Sequence, residues 1–362
     1  MSINADRNLL LGVLAFQNAF VTRDALLAGM QAWLFDKSKS LADVMHGQGS
    51  LDSVGRQLLE AIGGPNQPVP AQGSGRLDLA HRVVSEVNPL LPRVMVNRLW
   101  QHHFAEGIVA SPDNFGVLGE APANPELLDY LATEFIRQGW SVKKMHWLMV
   151  LSSTYRQASR ADARADQSDP QNKLLHRMPV RRLEAECVRD AILAVSGRLD
   201  ERMYGPPVPP HLTEFMQGRG RPAVSGPLDG DGRRSLYLGV RRNFLNPMFL
   251  AFDFPIPFTT MGRRSVSSVP AQALTLMNNP LVLEQADRWA RRELAVAHRT
   301  PEKHVISLYV TAFARPPTDS ELQDAVRFLE EQGKEYGKAD DARAWADLCH
   351  VLINVKEFIF VN

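Results

Sequence analysis

The residues best suited to chemistry lie between Asn88 and Gly116, where a predicted helix and the loop after it combine cationic, aromatic and amide side chains. Arg, His and Asn side chains offer hydrogen-bond donors to a ligand, and a Trp ring offers a face for stacking. These side chains would form a binding site if the fold brings them together. The candidates are Asn97, Arg98, Trp100, His102, His103, Asp113 and Asn114.

The alternative for the same stretch is a structural role. A Trp and two His beside an apolar helix stripe commonly pack in a core with their ring nitrogens hydrogen-bonded. His102 and His103 are adjacent, so on a helix they point about 100° apart, whereas helical metal pairs are four positions apart. The sequence therefore predicts no metal site, and it leaves ligand binding and core packing both open.

A second candidate surface is rich in arginine. Residues 217–264 contain eight Arg and three Asp, with no Lys and no Glu. A guanidinium offers a planar fork to carboxylate, sulfate or phosphate groups and stacks on aromatic rings. The alternative is that these arginines bind loop carbonyls and the aspartates. The candidate anion-binding residues are Arg241, Arg242, Asn243, Arg263 and Arg264.

Two carboxylates lie in polar motifs and are weak candidates for an acid/base pair. Asp113 lies in the loop after the first candidate helix, and Asp253 lies in the Arg-rich region. Glycoside hydrolysis needs two carboxyl groups roughly 5–10 Å apart across one pocket. The sequence does not show whether these two meet.

The elements that must position these residues are mainly helices. Asx-Pro and Thr-Pro pairs mark helix starts, since the first residue caps the helix and Pro suits its first position. Thr318 and Glu321 form a capping box. The paired starts begin at Asn88, Asn124, Asn246, Asn279 and Thr300.

In the helix after Asn88, an apolar stripe is predicted to face a core while Asn97 points elsewhere, and Asn97 and Arg98 are predicted to reach towards the Ser111–Gly116 loop. Trp100, at the edge of this stripe, is predicted to be buried. Gly107 is predicted to end the helical region. The Ser111–Gly116 loop, SPDNFG, is predicted to be a tight turn because of its Pro, Asp, Asn and Gly residues.

Residues 201–268 interrupt the helical pattern with Gly and Pro clusters. Within them the alternating run 235–240, SLYLGV, predicts one short strand. We therefore predict a mainly α fold: a multi-helix domain with a long Arg/Gly/Pro-rich insertion that holds a short strand, plus a small N-terminal helical module.

The predicted domains are a helical leader over 1–64, a linker over 65–76 and a larger helical domain over 77–362. The leader contains four helical segments near 6–18, 22–35, 40–46 and 52–62, and the Gly/Pro-rich stretch 63–75 has no apolar periodicity. This composition predicts that the linker separates two independently folding parts.

Composition narrows the function classes. The 362 residues are 44% hydrophobic and 22% charged, with a formal net charge of +1, which argues against nucleic acid as a partner. No apolar run is long enough to span a membrane, and residues 8–20 lack the features of an export signal, so the encoded chain is predicted to be cytoplasmic. Cys187 and Cys349 lie in apolar helical patterns, which favours buried free thiols.

From about Gly75 to Asn362 the chain resembles a domain of unknown function, DUF1553, found at the C-terminal end of planctomycete proteins that also carry a cytochrome c domain. The resemblance implies no established activity. It implies exported relatives that carry haem and carbohydrate-recognition segments, so a periplasmic or exported location is the alternative. This chain has no C-x-x-C-H motif, so we predict no haem and no other cofactor in it. The motifs that carry the resemblance are GRLDLA, NPLLPRVMVNRLWQHHF, DNFG, PELLDYLA, STYRQASR, RRLEAECVRDAILAVSGRLD, RRSLYLGVRRN, PAQALTLMNNP and INVKEFIFVN.

Residues 1–64 resemble the helical leader that precedes the catalytic domain of many planctomycete serine/threonine protein kinases. No kinase motif follows: the sequence has no Gly-rich phosphate loop and no H-R-D or D-F-G triplet. The resemblance therefore implies no phosphotransfer, and a fused or rearranged gene is our hypothesis.

Two function classes follow. The first is a binding or scaffold domain for an anionic polysaccharide, another carbohydrate or a partner protein. The second is a carbohydrate-active hydrolase that uses Asp113 and Asp253 as its paired carboxylates. The first is preferred because an enzyme would need both carboxylates near one cleft, and the sequence does not show that they meet.

Overall fold

The computed structural model describes residues 21–35, 39, 41–51, 76–86, 88–116, 118–258, 261–338 and 341–361. The chain forms two compact units, Met1–Pro179 and Val180–Asn362. The division at Pro179 and Val180 was not predicted from the sequence. The predicted boundary at 65–76 stays a prediction, because all of that segment except Arg76 lies outside the described residues.

The predicted mainly α fold is confirmed, since the described residues contain fifteen α-helices and one two-stranded sheet. The helices of the first unit are α1 (Arg23–Phe35), α2 (Leu41–Gly47), α3 (Arg76–Val83), α4 (Leu90–Phe104), α5 (Pro125–Arg137), α6 (Val142–Val150) and α7 (Ala163–Ser168). The elements of the second unit are β1 (Arg181–Arg182), α8 (Ala185–Ser196), α9 (Pro247–Ala251), α10 (Pro270–Asn278), α11 (Pro280–Leu294), α12 (Pro301–Phe313), α13 (Asp319–Glu335), α14 (Ala342–Asn354), α15 (Lys356–Ile359) and β2 (Phe360–Val361).

The described residues of the first unit form two separate apolar clusters. In the leader, Trp33, Leu41 and Met45 are buried between α1 and α2, which match the predicted segments 22–35 and 40–46. The other two predicted leader helices lie outside the described residues. The second cluster is built by α4, α5 and α6, with Val96 and Met145 fully buried.

The core of the second unit is larger. Helix α11 packs between α8 and α14, and Trp289, Ile192 and Cys349 are fully buried there. Strands β1 and β2 pair antiparallel, with Arg182 opposite Phe360. The sheet therefore joins the start of this unit to its end.

The predicted helix starts have a clear physical basis in the structure. Asn124, Asn246 and Asn279 each accept a hydrogen bond at the side-chain oxygen from a backbone N–H of the first helical turn. Asn88 does the same for Leu90 at 3.0 Å. The capping box of Thr318 and Glu321 is present in full.

The predicted strand at 235–240 is wrong. Ser235–Tyr237 forms a 3-10 helix, and beyond it the backbone makes only an isolated bridge from Leu238 to Val208. A second 3-10 helix spans Gly230–Gly232. The insertion is therefore held by turns and side-chain contacts rather than by a sheet.

Among the described residues, no helix is both long enough and apolar enough to cross a membrane.

Candidate functional sites in the two units

In the first unit, Asn97 is a core residue and not a ligand-facing one. Its side chain is fully buried, with Nδ2 donating to the Val109 carbonyl at 3.0 Å and Oδ1 accepting from the Val109 N–H at 2.8 Å. Gly107 lies so close that an added Cβ would stand 2.6 Å from the Asn97 amide. The expectation that Asn97 points away from the core is therefore wrong, although its amide does bind the backbone after α4, at Val109, two residues before the Ser111–Gly116 loop.

The other residues of the same stretch are spread over several environments. Arg98, His102 and Asp113 are exposed. Asn114 is partly buried and accepts from the Gly116 N–H at 3.0 Å, which stabilises the predicted turn. These residues therefore differ in burial, from the fully buried Asn97 to the exposed Arg98, His102 and Asp113, and their joint role in binding a ligand stays a prediction.

His103 instead belongs to an aromatic cluster. Its Nε2 lies 2.7 Å from Nδ1 of His146, and its ring meets the Tyr155 ring edge-on at 5.5 Å. One of the two facing ring nitrogens must carry a proton and the other must accept it. Trp100 is half-buried rather than buried as predicted, with its ring 4.1 Å from that of Phe104. His146 and Tyr155 carry no local sequence signal for this cluster, because their approach to α4 depends on tertiary packing.

In the second unit, a buried arginine holds the insertion. Arg189 of α8 is only 1% exposed and donates to the carbonyls of Arg233 and Asp229 at 2.9 and 2.6 Å and to the Ser235 hydroxyl at 3.0 Å. Its guanidinium also lies 3.2 Å from Asp190. A charged group in α8 thus satisfies loop carbonyls that have no sheet partner.

Among the predicted anion-binding residues, Arg264 has carboxylate partners. Its two terminal nitrogens donate to Glu186 at 2.6 and 2.9 Å, and Glu184 lies 3.1 Å away. The hydrogen bonds to Glu186 raise the pKa of Arg264 above its ordinary value. Arg263 is exposed, whereas Arg264 is partly buried.

Asp253 is committed to structural contacts. Its Oδ2 accepts from Arg182 at 2.6 Å and from the Ser267 N–H at 2.8 Å, and its Oδ1 accepts from the Ser267 hydroxyl at 2.9 Å. The Arg182 side chain is 3% exposed, and burial lowers the pKa of its guanidinium. Asp113, the other nominated carboxylate, belongs to the first unit and is exposed.

An open cleft of about 380 Å³ lies in the second unit between α8, the turns of the insertion and the start of α9. Its volume falls in the range of small-molecule sites, roughly 300–1,000 Å³. The apolar residues that line it include Leu228, Leu238, Phe244, Phe249 and Phe254. The polar residues that line it include Glu184, Glu186, Cys187, Asp190, His211, Arg234 and Asn246.

The loop from Val240 to Phe244 forms part of the rim of this cleft, since both of its end residues line the cavity. Between them, Arg241, Arg242 and Asn243 are all exposed. A turn closed by the Phe244 N–H and the Arg241 carbonyl at 2.9 Å fixes the loop. Within the described part of the chain, neither rim arginine has an ion-pair partner.

Cys187 also lines the cleft and is exposed, so the expectation of two buried thiols is wrong for it and right for Cys349. Cys187 follows the buried Ala185 on α8 by two positions and therefore faces away from the core. Partial burial, followed by repulsion from Glu184, Glu186 and Asp190, raises the pKa of the Cys187 thiol.

Two hydrogen-bond acceptors of the cleft lack donors among the described residues. Asp190 uses Oδ1 for Ser235, accepting from its N–H at 2.8 Å and its hydroxyl at 2.7 Å, while Oδ2 accepts none. His211 Nδ1 lies 3.0 Å from the Gly226 carbonyl. A carbonyl only accepts, so Nδ1 carries the proton and Nε2 of the neutral ring remains an acceptor.

No group of three or more His, Cys, Asp or Glu side chains in the described part of the chain is placed to hold a metal ion.

In comparisons with known proteins, the model of the family PSD1, described as a protein of unknown function (DUF1553), matches residues 75–329. No curated protein and no solved structure matches the chain.

Proposed function

The chain belongs to this family of unknown function, and from that premise we propose that it is a binding module for an acidic polysaccharide. The observation that carries the proposal is the pair Arg241 and Arg242, exposed at the rim of an open cleft and without an ion-pair partner among the described residues. An exposed guanidinium pair offers two forks of donors to carboxylate or sulfate groups.

The local charge supports an anionic ligand. Two arginines and three carboxylates line the cleft, so the two exposed arginines of the rim are what give this region a small local excess of positive charge. The lining residues are Arg189, Arg234, Glu184, Glu186 and Asp190, and the rim residues are Arg241 and Arg242. The whole chain carries a formal net charge of only +1, so attraction of a polyanion must depend on such a local excess.

A ligand can bind the rim arginines without breaking an ion pair that stabilises the fold, because neither has an ion-pair partner among the described residues. Arg242 lies over the Phe258 ring at 5.9 Å, an exposed contact that a ligand could share. Adjacent guanidinium groups repel each other in the free protein, and a bound anion relieves this repulsion. Binding should therefore raise the melting temperature, and added salt should reduce the increase.

The hydrolase alternative gains no support from its nominated pair. Both oxygens of Asp253 accept hydrogen bonds, and Oδ2 is ion-paired with Arg182. A general acid needs a carboxyl that can exchange a proton with substrate. We therefore propose binding alone, and the binding assays include a measurement of new reducing ends as a check for cleavage.

The test is titration of the full chain with a polyuronate and with a heparin-like polymer at two salt concentrations. Arg241→Gln/Arg242→Gln should weaken binding roughly tenfold or more, since a charge-assisted hydrogen bond contributes about 1.5–3 kcal/mol. The matched control is Arg160→Gln/Arg164→Gln, which removes the same charge from exposed positions of the first unit.

Each outcome bears on the proposal. Loss of binding in the rim variant, with binding retained in the control, would support it. Equal losses in both variants would indicate attraction by net charge alone. The proposal would be contradicted if the unaltered chain bound neither polymer. A lower melting temperature of the rim variant would then indicate a structural role for these arginines.

A further inference from the structure

The interior of the cleft differs chemically from its rim. Its lining carboxylates are largely neutralised, because Glu186 is paired with Arg264 and Asp190 lies beside Arg189. The carboxylates therefore do not need a cationic ligand group as a partner, and Arg234, which lines the cleft, would repel one. A bare anion inside would meet the same carboxylates. The interior thus favours a ligand part without charge.

That part must supply hydrogen-bond donors. Asp190 and His211 both line the cleft, and Asp190 Oδ2 and His211 Nε2 accept no hydrogen bond from the described residues. Buried acceptors left without donors cost free energy, so a ligand that excludes water from the cleft has to donate to them. Neutral donors that come in a closely spaced set are hydroxyl groups.

The wall of the cleft is apolar. Phe249 and Phe254 stack with ring centroids 5.3 Å apart, and Phe244 and Leu238 add further apolar surface. A pyranose ring presents C–H groups on its faces and hydroxyls around its edge, so it offers apolar contacts and donors together. A flexible polyol or a peptide backbone offers no comparable rigid apolar face.

We propose that the cleft binds a uronic acid residue, whose hydroxyls donate to Asp190 and His211 and whose carboxylate lies towards Arg241 and Arg242 at the rim. This assignment rests on the proposed binding of an acidic polysaccharide and specifies its sugar-recognition site. It predicts discrimination between acidic sugars and acidic polymers that have no sugar ring.

Cys187 provides a direct reporter, because it lines the cleft and is exposed while Cys349 is fully buried. The reaction of the Cys187 thiol with a maleimide would be followed in the full, folded chain, with an oligouronate or with polyacrylate of matched carboxylate concentration. At ten times its Kd, the oligouronate should slow the reaction about tenfold, because only the unoccupied fraction reacts. Polyacrylate binds the rim and should leave the rate nearly unchanged.

Blocking the cleft gives the reciprocal test. Wild-type chain labelled at Cys187 should lose oligouronate binding by roughly tenfold or more and keep polyacrylate binding. Cys187→Ser, treated with the same maleimide, is the matched control and should bind both polymers. This test does not depend on a substitution that could disturb folding.

Asp190→Asn tests the acceptor itself. It keeps an oxygen for Ser235 and replaces the second carboxylate oxygen, which accepts no hydrogen bond in the structure, by a donor, so oligouronate binding should fall roughly tenfold while polyacrylate binding persists. If the loss of charge beside Arg189 impairs folding, the protection of Cys187 from maleimide in the unaltered chain still tests whether the cleft binds the oligouronate.

The failures are distinguishable. If neither polymer binds, the proposed function is overturned. If both bind, but Cys187 reacts equally fast with and without oligouronate, the cleft assignment is overturned and rim binding stands. Equal protection of Cys187 by polyacrylate would also overturn the assignment, since no sugar ring would then be needed.

Discussion

Asn97 shows how one amide can connect a helix to the loop that leaves it. Asn97→Ala removes both hydrogen bonds to Val109 and leaves a backbone N–H and a carbonyl unpaired in the core. Each group left unpaired costs about 1–3 kcal/mol, so the free energy of unfolding should fall by several kcal/mol. Arg98→Ala, at the exposed neighbouring position, should change it by less than about 0.5 kcal/mol. Urea unfolding measures both variants, and equal effects would contradict the assignment.

Asp253 provides the second test of a single residue. Asp253→Asn breaks the ion pair with Arg182, whose side chain is 3% exposed. Removing one partner of a buried pair leaves an uncompensated charge and typically costs about 3–5 kcal/mol. Asp113→Asn, at an exposed carboxylate, is the control and should be nearly neutral. A stable Asp253→Asn chain would show that this carboxylate is available for another role.

Asn97 and Asp253 also show which side-chain contacts the sequence does not predict. Polarity made Asn97 and Asp253 candidates, but it did not reveal their partners. Val109 is twelve positions from Asn97, and Arg182 is 71 positions from Asp253. A polar side chain that binds a distant backbone or charge has the same local pattern as one that binds a ligand. Arg241 and Arg242, by contrast, are exposed, as candidate anion-binding residues need to be.

At the scale of elements, sequence rules predicted the features that depend on contacts between residues close together in the chain. The helix caps depend on atoms two or three residues apart, so Asx-Pro pairs predicted several helix starts. The strand at 235–240 failed because a strand needs a partner. Instead, Asp190 of α8 accepts from the Ser235 N–H, and the segment turns into a 3-10 helix. Alternating hydrophobicity alone does not distinguish these outcomes.

The start of α13 predicts a pH dependence. Hydrogen bonds from Arg315, followed by one from the Thr318 backbone, lower the pKa of Glu321 from 4.5 to about 2. Because the folded-state pKa is lower than the unfolded one, this carboxylate stabilises the fold above about pH 4.5, and the contribution is lost as the pH falls towards 2. Glu321→Gln should therefore be less stable than the unaltered chain at neutral pH, and the difference should shrink on acidification.

The matched control for this experiment is Glu331→Gln, at an exposed position of the same helix. It should show no comparable change in stability with pH. Urea unfolding at pH 7, 4 and 3 makes the comparison for both variants. A difference between Glu321→Gln and the unaltered chain that stays constant across these values would contradict the assignment of the stabilisation to the Glu321 carboxylate.

At the scale of the whole molecule, the mainly helical class followed from the sequence, but the division into two compact units at Pro179 and Val180 did not. The residues on either side of that division include no Gly/Pro-rich run like the one at 63–75. The cleft was also beyond sequence reasoning, since its lining comes from segments between Glu184 and Phe254 that are separate along the chain. Composition identified the Arg-rich insertion, while tertiary packing determines which arginines are paired.

The predicted linker leads to the last test, which concerns how the chain is divided. The run GGPNQPVPAQGSG over 63–75 has no apolar periodicity, so we expect a broad-specificity protease such as subtilisin to cut there first. The C-terminal fragment, close to 77–362, should then resist further digestion and keep its helical circular dichroism. Trypsin is the matched control, because this run contains no Lys or Arg and its nearest cleavage sites are Arg56 and Arg76. Resistance of 63–75 to subtilisin, with first cuts inside 88–160, would contradict the predicted boundary.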